Sequence, residues 1–211
     1  MTSRPDVGLA QGAGSSPEPV VPGIAGPGGP ATRDLCRHLL EHSVKTGDFV
    51  LKSGRRSSWF VDSKQTVCRP DGMLLVAEAV LSMVPDVATA IGGLTMGADP
   101  VAFVTAGVAA TRGRRLKAFS VRRVAKDHGR GGRISGALDP GDQVVVTEDT
   151  VTRGTSLLEA VNAVRDAGGE VVLAVALVDR GGTAGRLLGD AGVIFRAVVS
   201  ALDLGFDYEG A

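Results

Sequence analysis

Residues 171–178 read Val-Val-Leu-Ala-Val-Ala-Leu-Val, an apolar run with no polar interruption. A strand that keeps one face in water alternates apolar with polar residues. A strand that is apolar throughout must be covered on both faces. Glu170 to Val178 is therefore expected to be a fully buried strand. Gln143 to Val146 reads the same way. Between them, residues 155–167 carry Leu158, Val161 and Val164 on one helical face, and Gly168 and Gly169 end the helix. Strand, helix, strand in this order is the unit of a parallel α/β sheet.

The remaining pattern extends this alternation. Leu35, Leu39, Leu40 and Val44 recur at helical spacing, with Gly47 as a plausible stop. Phe49 to Leu51 and Trp59 to Val61 read as short strands across a Ser-Gly-Arg-Arg turn. Pro70 is placed to open a helix reaching about Met83. Val87 to Ile91 reads as a strand, Gly92, Gly93 and Gly97 as a loop, and Asp99 to Ala109 as a helix. Lys117 to Val121 and Val193 to Val199 complete the expected strands, and a short helix precedes the last one.

Composition narrows the class. The 211 residues suffice for one ordinary domain. Lys and Arg number 23, as do Asp and Glu, so the net charge is zero and neither nucleic acid nor a membrane surface is expected as a partner. Two cysteines rule out a disulfide scaffold and read as reduced thiols in a cytoplasmic protein. No apolar run approaches the roughly 20 residues of a membrane span. Residues 1–30 hold six of the ten prolines and seven of the 30 glycines, and read as a disordered arm. Pro17, Pro19, Pro22 and Pro27 break every candidate signal-peptide core. Residues 31–211 read as the folded domain.

The segment with most chemistry is Val144 to Ser156. A buried strand leads into Glu148 and Asp149, then a polar loop, then a helix start. Ligands of open parallel sheets bind beyond the carboxyl ends of the strands. A helix start offers free N–H groups and partial positive charge to a phosphate. Thr152, Thr155 and Ser156 add hydroxyl donors, and Gly154 permits close backbone approach. The acids suit sugar hydroxyls, or a magnesium ion held through water. The loop fits a sugar bearing both a phosphate and a diol. It is neither a P-loop nor a dinucleotide fingerprint, and an ordinary strand–loop–helix with an acidic cap remains open.

A second segment is basic. Residues 111–133 carry nine of the 23 basic residues and one acid, Asp127. Together with Gly129, Gly131, Gly132 and Gly136, this reads as a mobile loop able to close over an anion. A solvated basic surface or an RNA-binding patch remains open, although Phe119 is its one aromatic. His38 and His42 stand four apart with no third metal ligand evident, and read as residues of a surface helix.

Val144 to Ser156 resembles the phosphoribosyl diphosphate signature of the type I phosphoribosyltransferases: an apolar run, two acids, then Thr-x-Gly-[Thr/Ser/Gly]. Arg122-Arg123-Val124-Ala125-Lys126-Asp127-His128-Gly129 resembles the catalytic loop of the orotate phosphoribosyltransferases, close to Arg-Lys-x-x-Lys-x-His-Gly. Phe49 to Phe60 is similar to that family's Lys-Ser-Gly hairpin, Gly92 to Pro100 to its diphosphate loop, and Val178-Asp179-Arg180 to the strand end that binds orotate. The resemblance spans about residues 31–207.

It implies a mostly parallel α/β sheet flanked by helices, with a small hood and a flexible catalytic loop. It implies transfer of a phosphoribosyl group from 5-phosphoribosyl 1-diphosphate to orotate. Glu148 and Asp149 would hold the ribose hydroxyls. Thr150, Val151, Thr152, Arg153, Gly154, Thr155 and Ser156 would cradle the 5-phosphate. Lys52, Arg122, Arg123, Lys126 and His128 would meet the diphosphate, with Lys126, His128, Arg123 and Asp149 as the catalytic set. Thr152, Arg180 and Phe60 would bind orotate. Mg²⁺ would enter on the diphosphate and through water, with no direct protein ligand. The loop implies a homodimer with shared active sites. Two departures stand out: Met96 where some members have Lys, and Arg153 where the loop residue is often small or Thr. Another nucleobase as acceptor, or a non-catalytic sensor of the phosphoribosyl donor, are the alternative readings.

Overall fold

The computed structural model describes residues 30–50, 56–125 and 132–209. The arm over 1–29, Lys52, and the loop positions Lys126, His128 and Gly129 lie outside the described residues.

Six strands form the main sheet: β3 (Ala90–Leu94), β4 (Lys117–Val121), β5 (Ile134–Gly136), β6 (Gln143–Val151), β7 (Glu170–Asp179) and β8 (Phe195–Ser200). Their order is β5-β4-β3-β6-β7-β8, parallel except for the antiparallel edge strand β5. The expected parallel α/β sheet is therefore present. The chain moves outward in one direction from β3 to β4 and in the other from β6 through β8. The reversal falls between β3 and β6, where open α/β sheets bind their ligands.

Alternation along the strands sorts two cores. Ile91, Val145, Leu173, Val175 and Leu177 pack with α1 (Pro30–His42), α3 (Pro70–Leu81) and α4 (Ala98–Thr111). Ala90, Val144, Val146, Ala174 and Ala176 pack with α5 (Thr155–Asp166) and α6 (Ala184–Asp190). Both faces are thus apolar, as the uninterrupted β7 sequence requires. A separate antiparallel pair, β1 (Val44–Val50) and β2 (Arg56–Val61), forms the hood. It plugs Trp59 and Val61 into the first core. The short helix α2 (Lys64–Val67) then returns the chain toward the sheet.

Several expectations need correction. Val44 opens β1 instead of extending α1, and Gly47 lies within β1 at its register shift between Thr46 and Phe49. The strand expected at Val87 to Ile91 lies three residues later, so Gly92 and Gly93 are inside β3. They read as loop because glycine disfavours strands in isolation. Here the neighbours demand it: a Cβ on Gly93 would stand 2.0 Å from the Thr147 carbonyl oxygen. Strand β6 runs on to Val151, so both acids belong to the strand and not to the loop after it. The final strand begins at Phe195, two residues late. His38 is buried, not on the surface. Its Nδ1 lies 3.2 Å from Thr66 Oγ1, which is also bonded to Ser43, and this polar knot ties α1 to α2.

Gly93→Ala should lower stability by about 1–3 kcal/mol, because the backbone of β6 cannot retreat without breaking the ladder. Urea unfolding with an unchanged midpoint would show that β3 does not need this glycine.

Candidate active site

Strands β3 and β6 end side by side at the reversal point, and α4 and α5 begin just beyond them. Gly97, the residue before α4, lies over the end of β6. A Cβ there would stand 2.4 Å from Asp149 Oδ1 and 2.5 Å from Glu148 Oε1. Backbone therefore covers both carboxylates, and they are 7% and 8% exposed. Asp149 accepts hydrogen bonds from Ser63 Oγ (2.7 Å), Lys64 Nζ (2.7 Å) and the Thr150 N–H (2.9 Å). Glu148 Oε2 has no partner among the described residues.

The adjacent acids are therefore in unequal settings. Burial, reinforced by the charge and hydrogen bonding of Asp149, pushes Glu148 up to about 8, while Arg123 and Lys64 pull the other way. Glu148 is mostly protonated at neutral pH, which lets two carboxyls share one dry place. For Lys64, partial burial works against the charge. The bonded Asp149 carboxylate, with Asp62 and Glu148 nearby, outweighs it and raises the amine above its ordinary value.

The loop after β6 has the features that suit an anion. Gly154 caps α5 with φ +86°, a conformation that side chains rarely adopt. The first N–H groups of α5 have no partner within the helix and lie at its positive end. Thr152 and Ser156 are half-buried, and Arg153 and Thr155 are exposed. Thr183 Oγ1 donates to the Thr152 carbonyl at 3.1 Å and pins the loop from beside it. Val151 is buried in the second core. It offers only backbone, and its carbonyl accepts the Arg180 N–H at 2.8 Å.

The basic residues divide. Arg123 is exposed, and its charge is felt at Glu148. Arg122 turns the other way: it donates to Ser135 Oγ at 2.9 Å and pairs by backbone with Arg133. Met96 is 71% exposed beside the acids' cover, so the departure at this position leaves the loop without a cation there.

Arg180 follows β7 and is buried, which excludes the reading of an ordinary surface arginine. Its guanidinium lies 4.7 Å from the Trp59 ring centroid and 5.9 Å from that of Phe60. It donates to the Trp59 carbonyl at 3.3 Å and to Glu209. Burial lowers its pKa, and Glu209 opposes that shift. Phe60 leaves part of its ring exposed beside it. The structure thus gathers a polar loop at a helix start, an acid pair and an arginine set against aromatic rings around adjacent strand ends.

Lys64 and Ser63 are the residues that sequence reading missed. They lie far along the chain from Asp149, in and just before a four-residue helix without a periodic signal. Nothing in Asp62-Ser63-Lys64 marks them out before the start of α2 meets the end of β6.

No family model matches the chain. The orotate phosphoribosyltransferase of Streptomyces coelicolor is 42% identical over 176 residues, covering 82% of this chain and 97% of that protein. The orotate phosphoribosyltransferase of Mycobacterium tuberculosis has been solved with Fe(III) dicitrate. It shares 37% identity at TM-score 0.74 over 84% of this chain and 100% of that one. The same enzyme solved in complex with 5-phospho-alpha-D-ribosyl 1-diphosphate shares 34% identity at TM-score 0.70, with the same coverage.

The raised pKa of Glu148 makes a stability prediction for the substrate-free protein. Between the ordinary glutamate value and about 8, the folded state holds a proton that the unfolded state has lost. Stability therefore falls as pH rises through that window, by an amount on the order of a few kcal/mol. Glu148→Gln should melt higher than the native chain at pH 8.5, with the gap closing toward pH 5. A pH-independent difference in thermal unfolding would refute the assignment.

Proposed function

The chain belongs to the orotate phosphoribosyltransferase family, and from that premise we propose how its residues divide the work. The enzyme transfers the 5-phosphoribosyl group from 5-phosphoribosyl 1-diphosphate to orotate, giving orotidine 5′-phosphate and diphosphate for pyrimidine synthesis. The observation that carries the assignment of residues is the buried acid pair at the β3/β6 reversal, set directly before the cradle that opens α5.

The 5-phosphate sits on the N–H groups of the loop from Thr150 to Ser156 and on the hydroxyls of Thr152, Thr155 and Ser156. Glu148 and Asp149 take the ribose diol. A carboxylate accepts from a hydroxyl, and a protonated Glu148 has an O–H to give in return. Lys64 and Ser63 hold Asp149 in position for that contact. The acceptor lies between Phe60 and the cradle, with its carboxylate on Arg180 and its ring oriented by Thr152. A cation set against aromatic faces favours a planar anionic base over a neutral purine.

In the reaction the C1–O bond to the diphosphate breaks, and the leaving oxygen takes the electron pair. The ring nitrogen of the orotate anion donates its pair to C1. Negative charge grows on the diphosphate, where Lys126, Arg123 and His128 stabilise it and Lys52 and Arg122 complete its binding. Arg122 reaches it by leaving Ser135. His128 also gives the diphosphate a proton. Loop closure excludes water from the activated sugar.

Mg²⁺ fits this site as an ion carried by the substrate. Asp149 is already engaged by Ser63, Lys64 and the Thr150 N–H, and Glu148 keeps its proton, which leaves such an ion its waters and the phosphates as ligands. Bound there, it supplies positive charge to the departing diphosphate.

The catalytic loop reaches the neighbouring subunit's site, so the working unit is a homodimer with shared active sites. Cys36 and Cys68 are both free, in keeping with a reduced, cytoplasmic setting.

Orotate absorbance should fall only when protein, 5-phosphoribosyl 1-diphosphate and Mg²⁺ are all present, with diphosphate released. No change, in folded protein that binds the donor, would overturn the choice of acceptor. Lys126→Ala should lower kcat about a hundredfold or more, the loss of roughly 3–4 kcal/mol of transition-state stabilisation, with folding intact. An unchanged kcat would remove the lysine from the catalytic set. Mixed Lys126→Ala and Asp149→Asn subunits should regain activity through native sites formed at their shared boundary. If exchange is demonstrated and activity stays absent, the shared-site arrangement fails.

A further inference from the structure

The C-terminal segment closes over the arginine assigned to the base. Phe206 stacks on Trp59 with ring centroids 4.6 Å apart and planes 8° from parallel. The Tyr208 ring packs on Gly182. The Glu209 N–H donates to the Arg180 carbonyl at 2.8 Å. The Glu209 carboxylate then accepts from both Arg180 and Ser57. The pair is enclosed, with side-chain exposures of 7% for Arg180 and 15% for Glu209. Arg180 Nε, buried at the same place, has no acceptor among the described residues.

We propose that Glu209 is a built-in competitor for the base site: its carboxylate occupies the guanidinium that a carboxylated base must claim. The proposal rests on the reading of Arg180 as the orotate contact. An enclosed guanidinium strongly disfavours being left without a counter-ion. One carboxylate leaves it readily only when another arrives, so release of Glu209 and capture of the base are a single exchange. Ser57, Trp59 and Phe60, all on β2, line that exchange, while the Phe206 stack on Trp59 keeps the segment tethered nearby. Affinity for a carboxylated base is reduced by the fraction of molecules in which Glu209 holds Arg180. A ring that lacks the carboxylate does not call on Arg180 and escapes this competition. Glu209 thereby sets the apparent affinity for the acceptor without entering the chemistry.

The test uses the full chain and steady-state kinetics. Glu209→Gln should lower the KM for orotate about fivefold or more, with the KM for 5-phosphoribosyl 1-diphosphate unchanged. The inhibition constant of uracil, the same ring without the carboxylate, should also be unchanged. An unchanged or higher orotate KM in folded Glu209→Gln protein would overturn the proposal. So would an equal tightening of uracil. Arg180→Gln separates this failure from failure of the underlying assignment. If that variant keeps native orotate affinity, both readings fall. If it loses orotate but Glu209→Gln gains nothing, only the competitor falls. Should Arg180→Gln not fold, removal of residues 207–211 takes its place. The shortened chain must reproduce the lower orotate KM and the unchanged uracil constant, or the proposal is lost.

Discussion

The site depends on how closely backbone can approach the end of β6. Gly93 admits the Thr147 carbonyl against β3, and Gly97 lies on the carboxylates of Glu148 and Asp149. Any side chain at these positions would hold the two central strand ends apart, or lift the start of α4 off the acids. With glycine there, both acids lose water; Asp149 gains Ser63, Lys64 and the Thr150 N–H, while Glu148 Oε2 has no partner among the described residues. That loss of water is the first cause of the raised Glu148 pKa. Burying two neighbouring carboxyls is unfavourable. It persists because Lys64 and Ser63 compensate Asp149 and because Glu148 keeps its proton.

The electrostatic layout follows from that constraint. At the strand ends, the acid pair meets the positive start of α5 across the loop from Thr150 to Gly154. A ligand with hydroxyls at one end and phosphate at the other matches this polarity. The rigid parts of the site, β6 and the pinned Thr152 loop, belong to the sheet. In the proposed division of work, the cations for the leaving diphosphate belong to the segment that begins at Arg122. Arg122 is already engaged with Ser135, whereas Arg123 is exposed and its charge is felt at Glu148. On this proposal, a surface at the strand ends takes the donor and the basic groups gather around the charge as it forms.

The region proposed for the base is built by parts distant in sequence: β2, the end of β7 and the C-terminal segment. Trp59 serves both packing and chemistry. One face stacks on Phe206, and its ring and carbonyl hold Arg180. Shape and charge here are linked, because the aromatic contacts that close the first core also fix the guanidinium that a carboxylate would meet.

The sequence alone determined the sheet and marked a candidate donor loop. An apolar run such as 171–178 has only one stable setting, and the candidate cradle is contiguous from Thr150 to Ser156, so its proposed chemistry is written in adjacent letters. It misread Gly92 and Gly93 as loop and ended β6 too early. Both errors have one cause: glycine and acid look unlike strand until a neighbouring strand requires the first and the site requires the second. Only the tertiary structure decided that Lys64 and Ser63 hold Asp149, that burial raises the Glu148 pKa, and that Glu209 lies on Arg180. Those facts depend on which water is excluded and which distant groups arrive, and desolvation is a property of the folded environment rather than of any local pattern.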